Sequence, residues 1–333
     1  MNINQIIKAV EASYPIRQPL FIWGPPGVGK STGIKTAAGQ LKVDLIDLRL
    51  PLLEPVDLRG LPVVANGKAK WSIPSFLPTT GKGILFLDEM VQAAPSMQAA
   101  ASQLVLDRKI GEYKLPDGWH VVAAGNRLSD RASTNAMPTH IANRFVHITA
   151  EVDVESWILW ALANQIDIRV VAFIKWRSQL LHQFDAQAKL LAFPSPRSWA
   201  FVSNLLSAKT DRALLTDFVR GSVGDGAASE FMGFLNVFDK LPSIDAIMLN
   251  PKTAPIPTDP AVLYAVVTTL TAKASADNIG KIVTFFNRLT DEAQRPEFSI
   301  LAMKEITSKD SSSKILQSKP FMEWAAKHSH MIA

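Results

Sequence analysis

The spacing of apolar positions changes character near residue 150. Before it, compact apolar runs alternate with amphipathic stretches; after it, nearly every segment repeats at the helical period. Ile3, Ile6, Ile7 and Val10 form one stripe and predict a short helix over 3–13, ended by Tyr14-Pro15. Leu20–Trp23 reads as a strand, Ser31–Gly39 as a helix and Val43–Leu50 as a second strand. Pro51–Pro78 is rich in Pro and Gly, and its short extended pieces around Val63-Val64 and Lys70–Ile73 fit a hairpin or insert better than a core helix. Gly83–Leu87 is apolar on both faces, as a central parallel strand must be. A helix is expected over Pro95–Asp107. Lys109–Leu115 and Trp119–Ala124 flank the turn signal Pro116-Asp117-Gly118, which predicts a hairpin between them; the second is also a candidate for a fourth core strand. Phe145–Ile148 is expected to be the fifth.

Downstream, Val154–Asn164, Ile168–Gln183, Ser198–Ser207, Arg212–Val219 and Ala228–Phe238 read as helices. Leu241–Pro260 is proline-rich and reads as a linker or irregular excursion. Ala261–Ala274, Ala276–Leu289 and Pro296–Glu305 are three more helices, followed by a serine-rich linker over Lys309–Lys319 and a short helix around Phe321–Lys327. There is no internal repeat. The order predicts an α/β fold with a parallel sheet that binds its ligand at the carboxyl ends of the strands, followed by helices alone. The expected domains are a nucleotide-binding core over 1–155, a helical lid over 156–240 and a helical C-terminal extension over 241–333.

Composition narrows the chemistry. The 333 residues are enough for about two domains. With 47% apolar and 20% charged residues the chain is far from a disordered composition. It has no cysteine, which excludes a disulfide scaffold, a thiol nucleophile and thiolate-held metal. No apolar run has the length of a membrane span, and no secretion signal is expected at the start. A cytoplasmic location is therefore expected. The formal net charge of +5 is uneven: residues 1–150 hold 16 basic and 11 acidic side chains, and residues 151–333 hold 19 of each. The excess is scattered, which suits a nucleotide better than the dense stripe typical of nucleic-acid binding. The six histidines fall in no metal-ligand spacing, and His328 and His330 near the C-terminus read as solvated.

Gly24-Pro25-Pro26-Gly27-Val28-Gly29-Lys30-Ser31, followed by Thr32, fills the pattern G-x-x-x-x-G-K-[ST] between a strand and a helix. Such a loop turns backbone N–H groups toward an anion at a helix N-terminus. Lys30 then reaches the β and γ phosphates, and Ser31 offers a hydroxyl to Mg²⁺. The sequence thus predicts binding of a nucleoside triphosphate with Mg²⁺. Ile84–Leu87 ends in Asp88 and Glu89. Asp88 would hold Mg²⁺ through water and Glu89 would act as general base on the attacking water, a pairing that favours hydrolysis over phosphoryl transfer to another substrate. Val121–Ala124 leads through Gly125 to Asn126, which would lie beside Glu89 if the strands are neighbours. Arg144 precedes the fifth strand and is either a local salt-bridge partner or an arginine finger for a neighbouring subunit. Arg197 stands at a helix start, where the macrodipole disfavours a cation, so an anionic partner is expected for it.

The ordered set Gly24–Ser31, Leu87-Asp88-Glu89, Asn126, Asn143-Arg144 and Ser195-Pro196-Arg197 resembles the AAA+ ATPases, and within them the MoxR-like branch. Glu54-Pro55-Val56-Asp57-Leu58-Arg59-Gly60 looks like the segment before that branch's insert, and Gly111–Gly118 like its hairpin before the first sensor strand. The resemblance covers roughly residues 1–240. It implies a homo-oligomeric ring, usually a hexamer, with ATP at subunit junctions. In that ring Arg144 is the finger given in trans, Asn126 the first sensor and Arg197 the second. It further implies chaperone-like remodelling of a protein client, often beside a partner with a von Willebrand factor A domain. Client contact would fall around Leu61–Trp71 and Lys109–Leu115. Asn143 stands where MoxR-like proteins often carry aspartate. Arg131 is a second candidate for a trans-acting arginine, as is Arg108, although either could be a local structural residue. The rival readings are a nucleic-acid-coupled motor, a non-catalytic scaffold that assembles on ATP, and a small-molecule P-loop kinase.

Overall fold

A computed structural model of the chain describes residues 1–130, 135–188, 190–208, 210–309 and 314–328. It divides into two compact units, Met1–Asp153 with Phe184–Lys189, and Val154–Gln183 with Leu190–Ala333.

The first unit begins with α1 (Ile3–Ser13), whose N-terminus is closed by a capping box between Asn2 and Gln5. Then follow β1 (Leu20–Trp23), α2 (Lys30–Leu41), β2 (Asp44–Arg49), a short α3 (Pro55–Arg59), β3 (Leu61–Ala65), β4 (Lys68–Ser72) and β5 (Gly83–Asp88). After α4 (Pro95–Leu106) come β6 (Lys109–Ile110), β7 (Tyr113–Lys114), β8 (Trp119–Gly125), α5 (Thr139–Ala142) and β9 (Val146–Thr149). Five strands form one sheet in the order β2-β5-β8-β1-β9, and every pairing in it is parallel. Alternate residues serve opposite faces. Ile22, Ile84, Phe86, Val122 and Ala124 pack with α1 and α2, while Phe21, Leu85, Leu87, Val121 and Ala123 pack toward α4.

The expected hairpin between 109–115 and 119–124 does not form. β6 and β7 close on each other, with Lys109 opposite Lys114. β8 is buried along its whole length, and its hydrogen-bonding edges are taken by β1 and β5. A strand so placed has no edge left for a hairpin partner, so its candidacy as a core strand prevails. The insert over 51–78 does hold a hairpin, β3–β4, joined by Asn66-Gly67. Both turn residues have positive φ (53° and 71°), as a tight twisted hairpin turn requires.

The second unit is helical. Its elements are α6 (Val154–Ala163), α7 (Ile168–Trp176), α8 (Pro196–Ser207), α9 (Arg212–Val223), α10 (Asp225–Phe238), α11 (Ile244–Leu249), α12 (Pro260–Ala272), α13 (Ile279–Asp291), α14 (Pro296–Lys309) and α15 (Lys319–Lys327). The helix expected over 168–183 ends early, because Arg177 leaves helical geometry (φ −121°, ψ 64°) and a separate 3₁₀ turn follows over Ser178–Leu181. The proline-rich 241–260 contains α11 rather than irregular chain alone. Phe173, Trp199, Phe231 and Phe234 make edge and tilted ring contacts at 5.1–5.5 Å. His328 is buried rather than solvated: its ring stacks on Trp324 at 4.8 Å and its Nδ1 lies 2.9 Å from the Trp324 carbonyl. His330 and Arg131 lie outside the described residues. Among the described residues no helix is long and apolar enough to cross a membrane.

Candidate nucleotide site

The strand order brings the carboxyl ends of β5, β8 and β1 side by side, and with them Asp88, Asn126 and Gly24. Gly24 follows β1 and its N–H donates to the Gly125 carbonyl at 3.3 Å, joining the loop to the end of β8. Gly27 and Gly29 have φ of 80° and 94°, a region closed to most side chains, and this lets the loop wrap into a concave run of N–H groups. Gly29 caps α2 without any side-chain acceptor, so the positive end of that helix is left to an outside anion. Val28 anchors the loop in the core beneath α1 and α2, and Pro25 is buried while Pro26 is half-buried. Thr32 is exposed on the first turn of α2.

Lys30 is drawn across the loop mouth. Its Nζ donates to the Gly24 carbonyl at 2.7 Å, the Pro25 carbonyl at 2.9 Å and Asn126 Oδ1 at 3.0 Å. All three are neutral acceptors, which a phosphate can replace with stronger charge-assisted bonds. Ser31 Oγ donates to Asp88 Oδ2 at 2.9 Å. One hydroxyl and one carboxylate, both hard oxygen donors, suit Mg²⁺, which takes its remaining ligands from water and phosphate rather than from an all-protein cage. Among the described residues there is no group of three or more His, Asp or Glu able to hold a metal by themselves. The residues present therefore fit a nucleoside triphosphate with Mg²⁺.

Glu89 is exposed, and its backbone stands in the left-handed region (φ 56°, ψ 32°). Its N–H donates to Asp88 Oδ1 at 2.9 Å, so Asp88 binds Ser31 with one oxygen and steadies the strained residue with the other. Arg144 is half-buried and turned toward its own unit: Nη1 donates to the Ser102 carbonyl at 2.8 Å and to Ser102 Oγ at 3.3 Å. Arg108 donates to the Pro116 carbonyl at 2.7 Å and is half-buried, a local structural contact. Arg197 is exposed on the first turn of α8, and the ion pairs of the described residues do not include it. Ser195 and Ser198 beside it form a reciprocal capping box.

The sequence pattern missed Asp47. It lies on β2 two residues before Arg49, whose Cα pairs with that of Asp88. Burial, then the Asp88 carboxylate, raises its pKa; Arg49 opposes this and Glu89 adds to it. Only the β2–β5 register brings it near the other acids, so a local motif could not have found it.

Residues 20–149 match the family described as "ATPase family associated with various cellular activities (AAA)". No curated protein matches the chain. Among solved structures the chain is similar to a putative ATPase from Cytophaga hutchinsonii, at 15% identity and TM-score 0.37 over 86% of this chain and 76% of that one. It is similar also to NtrX from Brucella abortus in complex with ATP (12%, TM-score 0.43, 99% and 67%) and to RuvB from Thermotoga maritima (17%, TM-score 0.39, 84% and 82%). At these values the structural likenesses carry no statement about this chain's function. The parallel sheet and the phosphate loop at the end of its β1 lie within residues 20–149, the part of the chain that matches the AAA ATPase family.

Proposed function

We propose that the chain is a Mg²⁺-dependent ATPase that couples hydrolysis to the remodelling of a macromolecular client, working as a homo-oligomeric ring. The bond between Ser31 and Asp88 at 2.9 Å carries the reading, because it joins the phosphate loop to the acidic strand end that hydrolysis needs. When bound, Mg-ATP supplies the γ-phosphoryl group and a divalent charge beside it. The chain does the rest. The loop N–H groups and Lys30 bind phosphate oxygens, and Ser31 and Asp88 offer oxygen donors to the cation. Glu89 accepts the proton of the attacking water, and the Asn126 amide, released by Lys30 as phosphate takes its place, orients that water. Arg144 of a neighbouring copy stabilises the developing charge after leaving Ser102, and Arg197 reports the nucleotide state to the helical unit. The three-part division 1–155, 156–240 and 241–333 belongs to the same proposal.

The MoxR-like resemblance supports a protein client and a partner with a von Willebrand factor A domain. The second reading is a motor coupled to nucleic acid, with which the scattered basic excess of residues 1–150 is compatible although it forms no dense stripe. ATP turnover per subunit across a dilution series with Mg²⁺ tests the common core of both. A rate that climbs with concentration and then levels off is expected. A constant, appreciable rate in dilute monomer contradicts the ring.

A further inference from the structure

His147 stands on β9, the edge strand of the sheet, and is exposed, yet both of its ring nitrogens are taken by the protein. Trp23 Nε1 lies 2.9 Å from His147 Nδ1, and His147 Nε2 lies 2.8 Å from the Ala142 carbonyl. An indole N–H only donates, so Nδ1 must accept. An imidazole that accepts through Nδ1 carries its hydrogen on Nε2, and donates it to Ala142. Trp23 therefore sets the tautomer, and the tautomer makes the bond to Ala142. The ring is also fixed in orientation. Phe21 pairs with His147 across β1 and β9, and the Trp23 ring stacks on it with centroids 5.9 Å apart and planes 23° from parallel. Phe21 and Phe145 flank it at 5.8 and 6.3 Å.

The two ends of this relay are places the nucleotide chemistry uses. Trp23 is the last residue of β1, and Gly24 of the phosphate loop follows it. Ala142 is the last residue of α5, and Asn143-Arg144 follows it. The Ala142 carbonyl also accepts from the Phe145 N–H at 3.2 Å, so the oxygen that receives His147 is the one that closes the turn carrying Arg144. Helix α5 has only four residues, too few to hold itself rigid through its own ladder. A bond from outside at its carboxyl end thus helps to fix where the Arg144 Cα stands. The Arg144 guanidinium rests on Ser102 here, and any reach toward another copy starts from that Cα. A displacement of about 1 Å at such a group is enough to cost much of its effect on a reaction.

We propose that His147 is a positioning residue for Arg144: held in one tautomer by Trp23, it fixes the Ala142 carbonyl and with it the turn from which Arg144 reaches a neighbouring copy. Its effect on turnover rests on the proposed role of Arg144 in trans, whereas the positioning itself does not. The test compares His147→Asn with His147→Gln in the full chain, at concentrations where ATP turnover per subunit has levelled off. Asparagine keeps an acceptor near the Nδ1 position and loses the donor to Ala142, while glutamine keeps a donor near the Nε2 position. His147→Asn is expected to lower kcat about 5-fold with ATP affinity unchanged, the scale of one lost hydrogen bond, and His147→Gln to recover most of that loss. Trp23→Phe keeps an aromatic ring without the N–H and is expected to lower kcat roughly 2-fold. In an Arg144→Ala background His147→Asn should cause no further loss, because it acts through that arginine. Amide hydrogen exchange over 139–146 should quicken in His147→Asn and stay near the wild type in His147→Gln. Wild-type kcat in His147→Asn, the same fold-loss in the Arg144→Ala background, or unaltered exchange over 139–146 overturns the proposal. Wild-type turnover in Arg144→Ala, or no turnover in the wild type, defeats the reading of the site instead, and the exchange over 139–146 then decides whether His147 holds the turn.

Discussion

At the ends of β1, β5 and β8, polar side chains stand half-open to solvent and hold one another through exchangeable bonds. Lys30 rests on three neutral acceptors and Ser31 on Asp88. In the second unit the ion pair of greatest burial among the described residues is of the opposite kind. Lys175 on α7 and Glu305 on α14 meet at 2.6 Å with side chains 2% and 7% exposed. Burial lowers the Lys175 pKa and raises that of Glu305, and each partner pulls the other back toward its charged form. The first arrangement can trade its acceptors for a ligand. The second cannot trade at all, and it fixes two helices that lie far apart in the sequence. Charge at the sheet end is thus available for chemistry, and charge in the helical unit serves position.

The comparison can be broken most forcefully at Lys30. Lys30→Ala removes a cation expected to make at least two charge-assisted bonds to phosphate, worth about 3 kcal/mol together, so ATP affinity should fall roughly 100-fold. Isothermal titration would show this, and thermal stability should barely change because the lysine stands half-buried at an open site. The helical unit should respond in the reverse sense. Glu305→Ala leaves a buried ammonium alone and is expected to cost about 3–5 kcal/mol of stability, read by denaturant unfolding, with nucleotide affinity retained. Lys175→Met combined with Glu305→Leu should recover most of that loss, since the desolvation cost of both charges disappears together.

A smaller effect separates buried from open groups within the first unit. His120 on β8 is fully buried, its Nε2 lies 3.0 Å from Ser13 Oγ, and burial with Arg108 nearby lowers its pKa to about 4. The unfolded chain takes up a proton near pH 6.5 and the folded chain only near 4, so stability falls as pH drops through that window. The contribution is full above the upper value and amounts to at most about 3 kcal/mol. His120→Gln should flatten the stability profile between those pH values relative to the wild type, as followed by thermal melts.

The phosphate loop was legible because its chemistry is contiguous: one run from Gly24 to Ser31 supplies the nest, the cation and the hydroxyl. Asp88 and Asn126 were legible because each ends an apolar run that could only be a buried strand. The two carboxylates beyond that pattern behave differently. Asp47 gains meaning from the register of β2 on β5, and Glu305 from a partner 130 residues away, so neither leaves a local mark. Burial misled in the same way at His328, whose terminal position suggested solvent while Trp324, four residues back, covers it. The Pro116-Asp117-Gly118 turn misled differently: its local signal is real, yet β8 enters the sheet centre, where two neighbours consume both edges. The short α3 lay hidden among prolines, although Glu54 and Asp57 form its capping box and Pro55 opens it.

The most direct test of the account is the paired measurement of ATP binding and ATP turnover for the wild type and Glu89→Gln. Glu89 is exposed and its hydrogen bonds to Asp88 Oδ1 and from the Gln92 N–H run through its backbone, so the amide should keep the fold and the loop intact. Nucleotide affinity is expected to be unchanged and turnover reduced on the order of 100-fold or more, the scale of a lost general base. Turnover at the wild-type rate with binding intact would contradict the assignment of Glu89, and with it the hydrolytic mechanism built on the Asp88-Glu89 strand end.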